Sequence, residues 1–169
     1  MKTMKRRREE NKTDYAKRMK LLKGGDSRIV FRKTNRYIIA QYVSSSEAQD
    51  KAEIGITSKN LVEYGWPKNF EASLKSIPAA YLTGFLIGKK IGTKKKDKVI
   101  IDIGMQRNLH KSRVFGFLKG LKDSGLNIEC DEKNFPTEDR IKGKHLKEDF
   151  SKVFDEVKSK IEKGKESKK

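Results

Sequence analysis

Closely spaced arginines with aromatic neighbours are the side chains of this sequence best suited to binding chemistry. Arginines 6–8 form a continuous run, and Arg18 and Arg28 follow within the next twenty residues. A guanidinium presents a planar set of N–H donors that can bond a phosphate at two points and stack on a nucleobase. Tyr15 and Tyr37 add aromatic rings, which are stacking platforms for unpaired bases. This combination predicts contact with a nucleic acid.

The charge balance also favours a polyanionic partner. The formal net charge is +18 at pH 7, and a protein with this charge repels itself and gains by lying against a polyanion. The first 23 residues hold ten Lys or Arg and three acidic residues, with almost no core-forming side chains. Residues 140–169 hold eleven Lys or Arg and six acidic residues. Positive charge is therefore concentrated at both ends.

Residues suited to catalysis or metal binding are sparse. Cys130 is the single cysteine, and the two histidines, His110 and His145, each lie among Lys and Arg. Their spacing matches neither a zinc site nor a catalytic triad. No apolar stretch has the length of a bilayer span, and residues 1–23 lack the apolar segment of a signal peptide. We therefore expect a cytoplasmic protein with no catalytic residues, cofactor, metal, membrane association or small-molecule substrate.

The first part of the core has the pattern of an antiparallel meander. Stretches 28–32 and 37–43 are rich in Ile, Val, Phe and Tyr, and they flank the polar residues 33–36. This arrangement predicts a hairpin with a basic tip. Alternation of apolar and polar residues around Ile54 and Ile56 predicts a third strand.

The second part of the core has the pattern of a βαβ unit. Helical spacing of apolar residues predicts a long helix over 76–92. The uninterrupted apolar run 99–101 predicts a strand buried on both faces, and the order strand, helix, strand implies a crossover to a parallel neighbour. A further helix is predicted over 112–124, where Gly116 and Gly120 would allow close packing against the sheet.

These elements predict an α/β fold with one mixed sheet and packed helices. We predict a basic N-terminal extension over 1–24, an α/β core domain over 25–130 and a C-terminal extension over 131–169. An apolar stripe on a lysine-rich background predicts an amphipathic helix in the C-terminal extension; its members are Leu146, Phe150, Val153, Phe154, Val157 and Ile161. This stripe is too apolar to remain in water, so we expect protein to cover it, either the chain's own domain or a neighbouring protein, while the lysine face looks toward RNA.

The same order of strands and helices also occurs in nucleases of the ribonuclease H type. These enzymes need several carboxylates that converge on divalent metal ions. Asp102 ends the fourth predicted strand, where one such carboxylate would lie, but the first strand carries Arg28 and Arg32. One carboxylate cannot hold two metal ions, so we expect Asp102 to cap a turn or bond nearby backbone. A ribonuclease H-like nuclease and a free-standing RNA chaperone are the alternative functions.

Several motifs in series resemble a known family. They are the opening RRREENKTDYAKRMKLLKGG, the hairpin RIVFRKTNRYIIAQYV, the helix PAAYLTGFLIGKK, the strand VIIDIG, the helix RVFGFLKGLKDSGL and the late segment RIKGKH. Together they resemble the archaeal and eukaryotic branch of large-subunit ribosomal protein number eighteen, which binds 5S ribosomal RNA. The resemblance covers nearly the whole chain in order, and the modest length is closer to archaeal members.

The resemblance implies a structural protein and not an enzyme. It implies that the protein attaches 5S RNA to the large ribosomal RNA in the central protuberance, beside neighbouring ribosomal proteins. Carried onto this sequence, it implies RNA-facing positions at Arg6, Arg7, Arg8, Lys12, Tyr15, Arg18, Arg28, Arg32, Lys33, Asn35, Arg36, Tyr37, Arg113, Arg140, Lys142, Lys144 and His145. We expect the extension to supply a large, salt-dependent share of the affinity and the hairpin tip to supply selectivity.

Overall fold

The secondary structure is that of a mixed α/β protein, as the sequence predicted. A computed structural model describes residues 3–47, 49–92, 99–146 and 150–164, so residues 1–2, 147–149 and 165–169 of the predicted extensions lie outside the described residues. In chain order the elements are α1 (Arg6–Glu9), α2 (Tyr15–Gly24), β1 (Ser27–Lys33), β2 (Ile38–Ser46), β3 (Gln49–Thr57), α3 (Ile77–Gly92), β4 (Val99–Asp102), α4 (Arg113–Asp123), α5 (Glu138–Lys142) and α6 (Ser151–Glu162). Short 3-10 turns cover Ser58–Tyr64, Lys68–Ser73 and Glu132–Asn134.

The described strands form one mixed sheet in the order β3-β2-β1-β4. β1 and β2 are antiparallel, with a register that runs from Arg28 opposite Val43 to Lys33 opposite Ile38. β2 is also antiparallel to β3, whereas β1 is parallel to β4. A parallel pair needs a long crossover, and the chain segment that contains α3 supplies it. The predicted hairpin, third strand and parallel crossover are therefore confirmed.

The core lies between one face of the sheet and the helices α3 and α4. Ile29 and Phe31 of β1 point into the core and are fully buried, and the Phe31 ring lies 4.8 Å from the ring of Phe117 on α4. Arg28 and Arg32 alternate with them along β1 and therefore belong to the opposite face. The core face and the arginine-bearing face of β1 thus have different chemistry.

Glycines allow α3 and α4 to approach each other closely. A Cβ on Gly120 of α4 would overlap the carbonyl oxygen of Tyr81 on α3, and a Cβ on Gly84 of α3 would overlap an α4 carbonyl. A Cβ on Gly116 would lie 3.1 Å from a methyl carbon of Ile77 at the start of α3. The prediction that Gly116 and Gly120 serve packing against the sheet is therefore wrong, because their close neighbours belong to α3.

β4 is half-buried, and the prediction that it is buried on both faces is wrong. Val99, Ile100 and Ile101 each keep intermediate exposure. The reason is the position of β4 at one edge of the sheet, beside β1. Val99 and Ile101 line an open groove that also contains α4 side chains and residues of the segment 124–131. An uninterrupted apolar run does not by itself distinguish a central strand from an edge strand.

The apolar stripe of the C-terminal helix is covered by the core of the same chain. Phe150, directly before α6, places its ring 4.7 Å from that of Trp66. Phe154 of α6 places its ring 5.4 Å from that of Tyr81 on α3. The residues that α6 buries are Phe154, Val157 and Ile161. The expectation that protein covers this stripe is confirmed, and α6 is part of the folded core.

Candidate nucleic-acid interface

The N-terminal extension contains two short helices, α1 and α2. The Asp14 carboxylate caps α2 by accepting hydrogen bonds from the N–H groups of Ala16 at 3.1 Å and Lys17 at 3.2 Å. Gly25 ends the helix in the left-handed region with φ of 70°. Neither α1 nor α2 has a buried residue. Apolar packing therefore contributes little to the attachment of the extension, in which Leu21 and Leu22 are only half-buried, and polar contacts join it to the sheet.

An ion pair shared by two arginines joins α2 to the sheet. Arg28 of β1 donates to the Asp50 carboxylate at 2.6 Å and to the Ser45 hydroxyl at 2.7 Å. The other carboxylate oxygen of Asp50 accepts from Arg18 of α2 at 2.8 Å. Burial raises the pKa of Asp50, but the hydrogen bonds from Ser45 and Arg18 and the two arginine charges outweigh it, so the pKa lies below its usual value. Asp50 is therefore ionised at neutral pH.

The two arginines of β1 differ in what they can offer to a ligand. Arg28 is 2% exposed, so its charge acts from beneath the surface and its side chain is too buried to contact a ligand directly. Arg32 donates to the carboxylate of Asp102 and to its carbonyl oxygen, both at 2.8 Å, while its side chain is 39% exposed. Arg32 is therefore held in place and is still accessible at the surface.

The carboxylate of Asp102 is occupied on both oxygens. One oxygen accepts from Arg32, and the other accepts from the N–H of Gly104 at 2.8 Å. Burial raises the pKa of Asp102, but the hydrogen bond and charge of Arg32, together with the Gly104 amide, lower it below its usual value. The expectation that Asp102 bonds nearby backbone is confirmed. The described part of the chain contains no group of His, Cys, Asp and Glu that could hold a metal ion.

The hairpin tip presents polar side chains on a closed turn. The Thr34 hydroxyl donates to the Tyr37 carbonyl at 2.7 Å and accepts from the Tyr37 N–H at 2.9 Å. The exposed side chains around this turn are Lys33, Asn35 and Arg36. The Tyr37 ring is half-buried, with the ammonium of Lys59 at 4.8 Å from its centroid. The turn thus holds three polar groups toward solvent and keeps one aromatic ring beside them.

The outer side chains of the extension are exposed and charged. Arg6 and Lys12 both pair with Glu10, at 3.7 Å and 2.7 Å. These are surface ion pairs, which contribute little to stability and which a phosphate can replace at low cost. The ammonium of Lys5 lies 4.5 Å from the centroid of the Tyr15 ring. These cations are therefore available to a polyanion.

The inner side chains of α1 point toward the sheet and the loop after β4. Arg8 donates to the sulfur of Met105 at 3.4 Å and lies 3.6 Å from the Asp14 carboxylate. Arg7 donates to the hydroxyl of Thr13 at 2.9 Å, and within the described residues it has no ion-pair partner. Arg7 therefore keeps an uncompensated positive charge close to the sheet.

A small basic cavity lies where α2 meets the arginine-bearing face of the sheet. Its volume is about 140 Å³. Six cationic side chains line it: Arg7, Lys12, Lys17, Arg18, Arg28 and Arg32. The carboxylates in the lining are those of Asp14 and Asp102. Five of the six cations are among the positions that the family resemblance implied, and the structure brings them together around one concavity. The sixth cation, Lys17, was not among those positions.

Sequence reasoning missed Lys17 and Asp50. Lys17 lies on the same face of α2 as Leu21, one turn later, and both line the cavity. Two residues in the sequence could have revealed a helix with this face: Asp14, a residue type that caps helix N-termini, and Gly25, a residue type that ends helices. Asp50 is separated from Arg28 by 22 residues in the sequence, so no local pattern points to their pairing.

The later predicted positions lie on other elements. Arg113 is the first residue of α4. The other positions lie within α5 or just after it; they are Arg140, Lys142, Lys144 and His145. The exposed members are Arg113, Arg140, Lys144 and His145, and Lys142 is half-buried. Lys144 pairs with Asp139 at 2.7 Å. The structure does not place these residues in the lining of the basic cavity, and their contact with RNA stays a prediction.

Comparison with known proteins settles the family. Residues 1–98 match the family model described as ribosomal large subunit proteins 60S L5 and 50S L18. The chain belongs to this family. A relative from Korarchaeum cryptofilum, named large ribosomal subunit protein uL18, is 41% identical over 141 residues, which cover 83% of this chain and 70% of the relative. The proteins of the same name from Methanoregula boonei and Methanoculleus marisnigri are 41% and 45% identical, covering 91% and 85% of this chain and 86% and 79% of the relatives.

Membership in the L5/L18 family fixes the broad role of the protein. It is a structural protein of the large ribosomal subunit in the cytoplasm and not an enzyme, and its partners are the ribosome and ribosomal RNA. The resemblance read from the motifs is thereby confirmed. In the described ranges, no helix has the length and apolar character needed to cross a bilayer.

Proposed function

We propose that the protein binds 5S ribosomal RNA and attaches it to the large ribosomal RNA in the central protuberance of the large subunit. Family membership supports a ribosomal role. The observation that carries the proposal is the convergence of cations from α1, α2 and β1 on one concave surface. Such a surface follows a phosphate backbone and displaces its counterions.

The extension and the hairpin tip have separate tasks in this proposal. The cations of α1, and those of α2 that line the concave surface, contact phosphates, which gives affinity without sequence information. Around the tip, Asn35 and Arg36 reach RNA edges or phosphates in a geometry fixed by the turn, and the exposed part of the Tyr37 ring stacks on a base. The tip therefore adds selectivity for 5S RNA.

Crosslinking in cells tests the proposal directly. The protein is crosslinked to RNA, purified under denaturing conditions, and the attached RNA is sequenced. We expect 5S RNA to be the most enriched species, followed by one region of the large ribosomal RNA. A profile spread over messenger RNAs without 5S enrichment would contradict the proposal and favour a free-standing RNA chaperone.

Incubation with divalent metal separates the proposal from the nuclease alternative. Purified protein is mixed with 5S RNA and Mg²⁺ or Mn²⁺, and the RNA is followed by electrophoresis. We expect the RNA to stay intact, because both oxygens of Asp102 are already bonded. Cleavage that requires metal and that is lost in Asp102→Asn would favour the ribonuclease H type of chemistry.

A further inference from the structure

The basic cavity between α2 and the sheet contains cations that the protein itself does not neutralise. Asp50 is shared by Arg18 and Arg28, and Asp102 is bonded to Arg32. Lys17 has no ion-pair partner in the parts of the chain that the structure describes, and neither has Arg7. The cavity therefore keeps two free cations at its surface.

The carboxylates in the lining form no ion pair with these two cations, although Lys17 is close enough to Asp102 for its charge to help lower the pKa of that carboxyl. Asp14 accepts hydrogen bonds from two N–H groups at the start of α2 and lies beside Arg8. Asp102 has both oxygens bonded, to Arg32 and to the Gly104 amide. Each acid in the lining is thus compensated by its own partners, and the residual charge of the cavity is positive.

The charge beneath the cavity is unusually well buried. Arg28 is 2% exposed, and its Nε atom has no hydrogen-bond partner among the described residues. Asp50 is shared by Arg18 and Arg28, so the three groups together keep one net positive charge, and this partly buried charge is poorly screened by water and attracts an anion in the cavity. A buried donor without a partner also carries a desolvation cost, which a nearby anion reduces.

We propose that this cavity is a pocket for one backbone phosphate of RNA, bound directly by Arg7 and Lys17. Arg32 supports the bound phosphate from the sheet side, and Arg28 supports it electrostatically from below. The inference rests on the proposed RNA-binding function and adds a defined site to it. The volume of about 140 Å³ suits a single phosphate group rather than a base with its sugar.

The pocket also links the RNA to the position of α2. Lys17 and Arg18 are adjacent on α2, and Arg18 is held by Asp50. A phosphate that bridges Lys17 and Arg7 therefore joins α1 and α2 to a scaffold that is already ordered on the sheet side. Preorganised donors lose less conformational entropy on binding than those of a free tail.

A pair of lysines on one helix provides a matched test in 5S RNA binding. Lys17→Gln removes the pocket ammonium, while Lys20→Gln removes an exposed charge of α2 that does not line the cavity. We expect Lys17→Gln to lower affinity about tenfold, the value of one charge-assisted hydrogen bond. It should also reduce the slope of log affinity against log salt by about one. Lys20→Gln should change affinity by no more than about threefold.

Equal losses in the two variants, with the wild-type protein still selecting 5S RNA, would overturn the pocket and leave the proposed function standing. Failure of the proposed function, with the pocket still present, would give a different result. If the wild-type protein did not prefer 5S RNA over a random RNA, the proposed function would fail. The pocket would still be supported if Lys17→Gln weakened binding to both RNAs more than Lys20→Gln.

Inorganic phosphate probes the site without RNA. The amide NMR signals of the free protein are followed during titration with phosphate, against chloride at equal ionic strength. We expect shifts at Thr13, Lys17 and Gly104 in the wild type and in Lys20→Gln, and their loss in Lys17→Gln. An identical response in Lys17→Gln and the wild type would contradict the pocket.

Changing the 5′ end of the RNA distinguishes a backbone phosphate from a terminal phosphate as the group that the pocket binds. 5S RNA is compared before and after enzymatic removal of its 5′-terminal phosphates. We expect equal affinity of the wild-type protein for both, because a backbone phosphate remains in either RNA. A selective loss with the dephosphorylated RNA, absent in Lys17→Gln, would assign the pocket to the chain end and overturn the backbone assignment.

Discussion

The basic N-terminal helices and the basic C-terminal helix are attached to the domain by different forces. α1 and α2 bury no residue; the ion pair between Arg18 and Asp50 joins α2 to the sheet, and a hydrogen bond from Arg8 to Met105 joins α1 to the loop after β4. α6 buries Phe154 and two aliphatic side chains in the main core. One end of the chain is therefore held by charge and leaves its surface free, whereas the other is held by apolar contact.

The helices α2 and α6, at the two ends of the chain, also differ in net charge. The charged residues of α2 are the cations Lys17, Arg18, Lys20 and Lys23. The charged residues of α6 are Lys152, Lys158 and Lys160 against Asp155, Glu156 and Glu162. α6 is thus neutral within its own bounds. Lysine content alone does not identify an RNA-binding helix; the absence of acids and of buried side chains distinguishes α2.

Deletion of residues 1–24 is the change with the largest expected effect on RNA binding. We expect 5S RNA affinity to fall about hundredfold or more, and the salt slope to fall by several units, because many phosphate contacts are lost. The free energy of unfolding should change little, since α1 and α2 bury no residue. Fluorescence anisotropy at several salt concentrations measures the first effect, and urea unfolding measures the second. A truncated protein that kept the parent salt slope would remove the extension from the interface.

Phe154→Ala reverses this pattern, with a large effect on stability and a small one on RNA binding. Loss of a buried aromatic side chain that packs on Tyr81 should lower the free energy of unfolding by about 3–5 kcal/mol. The control Phe154→Leu should cost less, because it refills part of the volume. Under conditions where the variant is folded, 5S RNA affinity should stay within about threefold. A fall as large as that of the truncation would make α6 a primary RNA-binding element.

Arg36→Ala tests selectivity at the hairpin tip and should have an intermediate effect. Arg36 is exposed on a turn that Thr34 closes, so its removal should not affect the fold. We expect a loss of about tenfold on 5S RNA, typical of a charge-assisted contact, and a smaller loss on a random RNA of equal length. The control Arg36→Lys keeps the positive charge but lacks the planar guanidinium group with its several N–H donors. Full recovery of selectivity in Arg36→Lys would reduce the tip to a simple charge contact.

Acid titration tests the ionic attachment of the extension and should have the smallest effect. The folded-state pKa values of Asp50 and Asp102 lie below their usual value, so the unfolded chain binds more protons below about pH 4. The stabilisation is therefore complete above that pH and is lost as the pH falls through the folded-state values. Urea unfolding between pH 6 and pH 2.5 should show a smaller decline in Asp50→Asn than in the wild type. An equal decline would mean that Asp50 does not contribute.

Local patterns were sufficient to predict most of the elements. The hairpin followed from two β-rich stretches around a polar turn, and α3 followed from helical spacing, because both are encoded within about twenty neighbouring residues. The errors concern which surfaces meet. The edge position of β4 depends on the strand order of the whole sheet, and the partner of Gly120 depends on where α3 crosses α4. Neither is visible in a short stretch of sequence.

The candidate site was predictable in its composition but not in its geometry. The cations of α1 and of the hairpin tip are exposed, as their polar sequence neighbours predict. Arg28 looked equivalent to them, since it alternates with the core residues of β1, yet Asp50 and Ser45 cover and pair it from another part of the chain. Lys17 became distinct from Lys20 only when the face of α2 toward the sheet was known.

The contact between α6 and α3 has a consequence for the order of synthesis. In the chain, α6 follows every element that it covers. Because the N-terminal part of a protein leaves the ribosome first, Trp66 and Tyr81 are made well before Phe150 and Phe154 arrive to cover them. The nascent chain therefore exposes an apolar surface that invites aggregation or a chaperone. The anchor of the basic extension needs nothing from α6, so a growing chain can attract RNA before its core is closed.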